Sequence, residues 1–164
     1  MENSVCSSCR LPKGILKCEC CFAIQCKNCI QKLKKESFSF LEVIPKELSY
    51  RKYCGSCFDE KVAPALESYR EVMTRAKEVF IFSKSQGEET RLIRRTEKPI
   101  KVTNCDDRNE IIMRLAFFAA QSNFNALVDV VVTSEKKRNE GYQTTKWQGI
   151  GVPVNVDADK YNSR

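Results

Sequence analysis

Four cysteine pairs, each with two residues between its members, dominate the first 60 residues of this chain. The pairs are Cys6/Cys9, Cys18/Cys21, Cys26/Cys29 and Cys54/Cys57, separated by 8, 4 and 24 residues. A C-x2-C turn aims two thiolates at one metal ion about 2.3 Å away, and two such turns complete the tetrahedron that zinc accepts. The pattern therefore predicts two zinc ions (Zn2+) per chain. Because each ion would have four protein ligands and no open position for water, both sites are predicted to be structural.

Disulfide bonding is the alternative use of so many cysteines, and it is typical of secreted chains. This sequence has no basic and apolar export signal at its start, and no apolar run approaches the ~18 residues that span a bilayer. Paired C-x2-C spacing also suits metal chelation better than a disulfide framework. These observations favour metal binding, and we expect a cytoplasmic protein.

The cysteine spacing resembles that of the FYVE family of cross-braced zinc fingers over about residues 4–60. In that family the first and third pairs hold one ion, and the second and fourth pairs hold the other. The resemblance implies a first zinc on Cys6, Cys9, Cys26 and Cys29, and a second on Cys18, Cys21, Cys54 and Cys57. Spacing alone also permits sequential pairing. Cys20 is a spare thiol, interpreted as a neighbour of the second site that could replace Cys21 in a distorted turn.

Residues 14–21 lack the arginines and histidines with which FYVE domains bind phosphatidylinositol 3-phosphate. What remains is an Ile15-Leu16 pair, flanked by Arg10, Lys13 and Lys17, where lipid-binding relatives insert apolar residues into a bilayer. We expect a short strand packed on the zinc core; the alternative is a membrane-associated module that uses Ile15, Leu16 and the lysines.

Residues 30–53, the insert between the third and fourth pairs, contain an apolar stretch that a small zinc module has little interior to bury. We expect it to pack against the rest of the chain, the alternative being an exposed partner-binding patch. From residue 59 to about 80, apolar residues recur every three or four positions and predict a connecting helix over 61–78. They are Leu66, Tyr69, Met73, Ala76 and Phe80. Docking on one of the domains is the expected use of this face, and a short coiled-coil seam is the alternative.

Residues 79–164 read as a small domain of antiparallel sheet and helix, so the fold class of the whole chain is predicted to be α+β. The expected elements are a strand at 79–82, extended chain at 91–102, a helix at 104–123, a strand at 125–133, a polar loop at 134–141 and a strand at 142–156. The simplest arrangement is a hairpin packed on the helix. Because that layer is thin, we expect a neighbouring subunit to cover its second face, with strands from 79–102 as the alternative.

Residues 107–156 resemble the YbjQ-like family of small bacterial α+β proteins, which is broadly described as heavy-metal-binding. The resemblance rests on a helix rich in small residues, on residues 123–130 in place of the family's G-A-[ND]-A-[VI]-[VI]-x-[VI] motif, and on the Gly-Ile-Gly-Val-Pro-Val run at 149–154. Phe124 stands where the family has a glycine. Members of this family tend to form rings, so the resemblance implies a homo-oligomer.

Catalytic motifs are missing from the sequence. It contains no histidine, which rules out Ser/His/Asp and Cys/His sets, and no phosphate loop. Cys105, beside Asp106 and Asp107, is interpreted as a passive thiol at a helix cap. The sequence therefore predicts a protein that is not an enzyme.

Net charge gives little support for a nucleic-acid partner. The formal charge of +7 counts every cysteine as neutral, and two four-thiolate zinc sites would lower it to about +3. The basic residues of a possible nucleic-acid face are Arg91, Arg94, Arg95, Lys98 and Lys101. They have little aromatic interleaving, which favours a solvated surface. The leading prediction is thus a zinc-binding adaptor for an unidentified protein, its finger displayed on an oligomerising domain; membrane and nucleic-acid binding are the alternatives.

Overall fold

The computed structural model describes residues 4–162, and the chain divides between Arg70 and Glu71 into two units. We call them the N-terminal unit and the C-terminal unit. Residues 1–3 and 163–164, the ends of the two predicted domains, lie outside the described residues. The mixture of helices, small antiparallel sheets and one larger sheet confirms the predicted α+β class.

Strands of only two residues build the N-terminal unit. β1 (Leu16–Lys17) pairs antiparallel with β2 (Ile24–Gln25), and β3 (Gln31–Lys32) pairs antiparallel with β4 (Lys52–Tyr53). Each of these strands is short because a cysteine-bearing turn lies next to it on at least one side. The fold of this unit is therefore a set of turns held in place by a few ladder hydrogen bonds.

The insert between the third and fourth cysteine pairs supplies most of the apolar core of this unit. Phe38 is buried and makes an edge-to-face contact with Tyr69, with ring centroids 5.4 Å apart. Leu48 and Tyr53 are buried in the same cluster, as is Val62. The expectation that the insert packs against the rest of the chain is therefore correct for these side chains, whereas Val43 stays exposed.

A continuous helical stretch follows the fourth cysteine pair. It consists of α1 (Gly55–Cys57), a π-helical segment (Phe58–Val62) and α2 (Ala63–Lys77). The helix predicted over 61–78 starts too late, because the helical stretch begins at Gly55, and Pro64 lies inside that stretch. Proline has no N–H to donate and its ring crowds the carbonyl four residues earlier. This conflict explains why the segment directly before α2, Phe58–Val62, is a wider π-helical turn.

The apolar face of α2 is used within the chain. Leu66 and Tyr69 pack against the core of the N-terminal unit, and Ala76 is buried. The helix ends before Phe80, the last residue of the predicted apolar face, because Phe80 begins β5 of the C-terminal unit. Packing on a domain, as expected, accounts for these contacts without a coiled-coil seam.

One four-stranded sheet and one helix form the C-terminal unit. The elements are β5 (Phe80–Ser83), β6 (Ile100–Cys105), α3 (Arg108–Gln121), β7 (Ala126–Asn139) and β8 (Tyr142–Val154). The strand order is β5-β7-β8-β6. β8 runs antiparallel to both of its neighbours, but β5 is parallel to β7, so the sheet is mixed and not purely antiparallel as predicted.

Two sequence expectations for this unit were wrong. The polar loop expected at 134–141 is strand except for a two-residue turn at Glu140 and Gly141, whose φ angles are both positive, 43° and 93°. Such turns match the twist of a hairpin, so polar strands can continue up to them. Residues 91–99 are not extended strand, since β6 begins only after Pro99, which has no N–H for a ladder.

The faces of the sheet are covered differently. Helix α3 lies so close to β8 that a Cβ on Gly149 would collide with Ile111 and crowd Leu115, both fully buried. On the opposite face, Ile93 and Tyr161 of the same chain pack against the cluster of Phe82, Ala126, Val128 and Val154. A neighbouring subunit is therefore not needed over this part of the sheet, contrary to our expectation. Among the described residues, no helix has both the length and the apolar character needed to cross a membrane.

Candidate metal centres

The first cysteine quartet joins the turns on either side of the β1–β2 hairpin. It contains Cys6, Cys9, Cys26 and Cys29, whose sulfur atoms all lie within 4.8 Å of one another. The Sγ atoms of Cys9 and Cys26 are 3.8 Å apart. The backbone N–H of Cys26 donates to the Sγ of Cys6 at 3.2 Å, which places a hydrogen bond on a buried sulfur.

The second quartet joins the β1–β2 turn to the start of α1. It contains Cys18, Cys21, Cys54 and Cys57, with sulfur atoms again within 4.8 Å of one another. The Sγ atoms of Cys21 and Cys54 are 3.6 Å apart. Cys54 is the N-cap of α1 and its sulfur accepts a hydrogen bond from the N–H of Cys57 at 3.5 Å.

The two quartets interleave along the chain. The first and third pairs meet in one cluster, and the second and fourth pairs meet in the other. This is the division that the FYVE resemblance implied, and the positions of the sulfurs do not fit sequential pairing. One ion would connect residues 6 to 29, and the other would connect residues 18 to 57. The two loops closed in this way overlap and together cover most of the N-terminal unit.

Burial and crowding perturb the thiols of both quartets. Hydrogen bonding from the backbone of Cys9 lowers the pKa of Cys6 to about 6, against the effect of burial. Burial opposes ionisation of Cys18, but backbone N–H groups outweigh it and lower the pKa of that thiol to about 6. The neighbouring Cys26 sulfur raises the pKa of Cys29 to about 12, and burial raises the pKa of Cys57.

This pattern fits a site for a divalent cation. Four thiols confined within 4.8 Å cannot all ionise side by side, because each thiolate opposes the next. A divalent ion removes that repulsion and allows all four to act as ligands. Both quartets consist of sulfur alone, which suits zinc and other soft metals. Each quartet can therefore hold one metal ion, and among residues 4–162 no further group of three or more metal-binding side chains lies as close together.

Gln25 is a residue that the sequence analysis missed. Its side chain is almost fully buried, and its Oε1 accepts a hydrogen bond from the Ser8 hydroxyl at 2.8 Å and lies 3.6 Å from the Sγ of Cys6. The side chain thus supports the turn that carries the first cysteine pair. Its only sequence signal is its position directly before Cys26, which is too weak to have identified it.

The two remaining cysteines lie outside the quartets. The Sγ of Cys20 accepts a hydrogen bond from the Nζ of Lys61 at 3.4 Å. Cys105 is buried in the C-terminal unit, where burial raises the pKa of its thiol. A buried thiol with a raised pKa is a poor nucleophile, in line with the passive role expected for it.

Comparison with protein-family models, with curated proteins and with solved structures finds no match to this chain. The FYVE-like and YbjQ-like resemblances therefore rest on the sequence motifs, and the metal centres rest on their own geometry.

Proposed function

We propose that the N-terminal unit binds two zinc ions as structural elements and that the protein is a non-enzymatic adaptor. The observation that carries this proposal is the pair of four-sulfur clusters, each with its ligand atoms within 4.8 Å. Zinc accepts four thiolates in tetrahedral geometry and has no redox chemistry that would damage them. A structural ion makes the unit a fixed surface on which a partner can bind.

The absence of a catalytic role is part of the proposal. Four sulfurs fill the coordination sphere of a tetrahedral ion, so water and substrate have no open position. The chain also contains no histidine to act as a base at neutral pH. Binding without chemistry is the function that these features support.

We further propose that the C-terminal unit self-associates and displays several N-terminal units together. The YbjQ-like resemblance supports this, as does Ile150, which is partly exposed on the sheet face away from α3. Linked copies gain avidity, so a weak contact by each finger would suffice for a stable complex.

Metal analysis of the purified protein tests the zinc assignment. We expect two zinc ions per chain, about one after either Cys6→Ser or Cys54→Ser, and close to none in the double variant. Cys20→Ser is the matched control, because this cysteine lies outside both quartets, and it should keep both ions. A ratio that stays at two in the double variant would refute the assignment.

The adaptor role is tested separately, with the intact chain. Light scattering should give a mass several times the 18.8 kDa of one chain. Affinity capture should retain a partner protein with the wild type and the Cys20→Ser control, and lose it with the double cysteine variant. A monomer would remove the avidity argument but leave the zinc assignment standing, whereas equal capture by all three proteins would exclude the finger as the binding surface.

A second candidate function is supported by exposed apolar side chains near the first quartet. Val5, Leu11 and Ile15 are 54%, 52% and 66% exposed, contrary to the expectation that Ile15 packs on the metal core. Backbone hydrogen bonds from Cys6 to Leu11 and from Gly14 to Ser4 bring their segments together. With the basic residues nearby, such a patch favours an anionic membrane surface.

Flotation with acidic liposomes tests membrane binding. Ile15→Asp should abolish it. Leu92→Asp makes the same chemical change at an exposed leucine of the C-terminal unit and should leave binding intact. If neither variant differs from the wild type, this patch does not bind the membrane.

A further inference from the structure

The outer half of the β7–β8 hairpin extends past the rest of the sheet. We call residues 134–147 the arm. β5 pairs with β7 only as far as Val130, and β6 meets β8 only from Trp147 inward. Among residues 4–162, no other strand flanks the arm on either edge beyond the pairing of Cys105 with Trp147 at its base.

The length of the arm is not explained by packing within this chain. Every residue from 133 to 145 is exposed, so the arm contributes no buried core. An isolated two-stranded hairpin is only marginally stable in water, and strands in globular proteins are usually five or six residues long. The ribbon of polar residues is therefore fully accessible to a partner.

The register of the hairpin separates two different faces. Directly paired residues share a face, and successive pairs alternate between faces. The face that continues from the α3 side carries the pairs Ser134/Trp147, Lys136/Thr145 and Arg138/Gln143. It has no acidic residue, and we call it the cationic face. The other face carries Glu135/Lys146, Lys137/Thr144 and Asn139/Tyr142, so a carboxylate offsets part of its charge.

The two cations of the cationic face, Lys136 and Arg138, differ from other basic residues of the C-terminal unit in forming no internal ion pair among residues 4–162. Arg95, Arg114 and Lys146 each form an ion pair with a carboxylate of the C-terminal unit. Lys136 and Arg138 form none within the described residues. Both side chains therefore keep their full charge for an external anion.

We propose that the arm binds double-stranded DNA by lying in the major groove, with Lys136 and Arg138 against phosphates. The major groove is about 12 Å wide and admits a two-stranded β-ribbon. Residues two apart on a strand are about 6.6 Å apart, close to the ~6.8 Å axial rise of two nucleotides. Gln143 and Thr145 lie beside the two cations as hydrogen-bonding side chains that can reach base edges or backbone.

Charge and shape together select this partner. The net charge of the whole chain is the wrong quantity to consider, because an arm that projects from the sheet presents its own local field. An acidic protein segment would also meet the charge requirement. An acidic protein segment has no groove that matches the ribbon shape, whereas the major groove of DNA matches that shape and its phosphates match the acid-free cationic face.

Titration of the zinc-loaded full chain against a fluorescent 20-base-pair DNA duplex tests the site. Lys136→Gln with Arg138→Gln should weaken binding about tenfold or more at 0.1 M salt and reduce the slope of log affinity against log salt by about 2. Lys34→Gln with Lys35→Gln is the matched control. It removes the same charge from exposed residues outside the arm and should leave affinity and slope close to wild type.

Equal losses in the two double variants would overturn the proposal, because they would indicate general electrostatic attraction. Absence of binding by the wild type at 50 mM salt would also overturn it. The thermal midpoint of the arm variant should equal that of wild type, since both changed side chains are exposed and neither forms an ion pair with another residue in the described part of the chain. A lowered midpoint with affinity lost in proportion would assign the effect to folding and count against the proposal.

The same assay distinguishes the class of partner. Duplex RNA of the same sequence should bind more weakly, because the major groove of A-form RNA is too narrow for side chains to enter. Polyglutamate should not compete at equal charge concentration. Equal binding of RNA, or effective competition by polyglutamate, would refute groove binding, and the second result would identify an acidic protein as the partner of the arm.

Discussion

The two units of this chain differ in what stabilises their folds. The N-terminal unit has strands of two residues, and cysteines make up much of its buried core. The C-terminal unit has strands of up to 14 residues around a helix with six buried side chains. The first depends on ligands that converge on an ion, and the second depends on apolar area removed from water.

This difference has a thermodynamic consequence. Structural zinc contributes on the order of 10 kcal/mol or more to a small finger, which is comparable to the whole stability of a domain. The C-terminal unit instead shares its stability among many contacts, each worth about 1–3 kcal/mol. The two units should therefore respond to different perturbations, and Trp147, the single tryptophan, reports on the C-terminal unit alone.

Metal removal is the largest expected effect. A strong chelator should unfold the N-terminal unit, because without the cations the crowded sulfurs oppose one another's ionisation and no longer hold the four cysteine turns together. Hydrogen exchange followed by mass spectrometry should show rapid exchange over residues 4–60, while β7, β8 and α3 keep their protection. Loss of protection in both units together would refute the division between them.

Truncation of the C-terminal core should show the opposite pattern. Leu115 is a fully buried residue of α3 that faces β8, so Leu115→Ala should cost about 2–5 kcal/mol in the denaturant unfolding of the C-terminal unit, followed by Trp147 fluorescence. Leu92 is 95% exposed, and Leu92→Ala, the same chemical change, should alter stability by no more than about 0.5 kcal/mol. Both variants should keep their full metal content. Metal loss in Leu115→Ala would show that the units are coupled.

The ion pair between Arg95 and Asp129 of β7 gives the smallest expected loss of stability. Arg95 donates to both carboxylate oxygens of Asp129, at 2.6 and 3.1 Å, and to the carbonyls of Thr90 and Ile93. It thereby fastens residues 90–95 to β7. Asp129 has a φ of 54°, a conformation that asparagine also tolerates, so Asp129→Asn removes the charge without adding strain. We expect a loss of about 1 kcal/mol near neutral pH, because the pair is partly exposed to solvent.

The pH dependence of that loss follows from the direction of the pKa shift. Hydrogen bonding and charge from Arg95 lower the pKa of Asp129 in the folded state. Its contribution is therefore complete above the unfolded pKa of about 3.9 and disappears as the pH falls through the lower folded value. The difference between wild type and Asp129→Asn, measured by Trp147 fluorescence, should shrink on acidification. A difference that grows in acid would contradict this origin.

Much of the fold could be predicted because its signals are local. The three- and four-residue recurrence of apolar side chains indicated α2, and the apolar run after residue 125 indicated β7. The end of β7 was predicted too early, because its outer part, Ser-Glu-Lys-Lys-Arg-Asn at 134–139, is polar and equally compatible with a loop. Pairing with β8 across a turn of Glu140 and Gly141 keeps it extended, and that pairing is a contact between segments that local periodicity does not reveal.

The sequence by itself determined the chemistry of the N-terminal unit, because four C-x2-C pairs specify soft, tetrahedral metal ligands wherever they meet. It left two pairings open, and only the tertiary structure decided that the pairs interleave. The burial of Gln25 beside Cys6, the Arg95–Asp129 ion pair and the acid-free face of the arm were likewise decided in three dimensions. Ligand type depends on each residue alone, whereas proximity depends on how distant parts of the chain pack, so a sequence pattern carries the first and not the second.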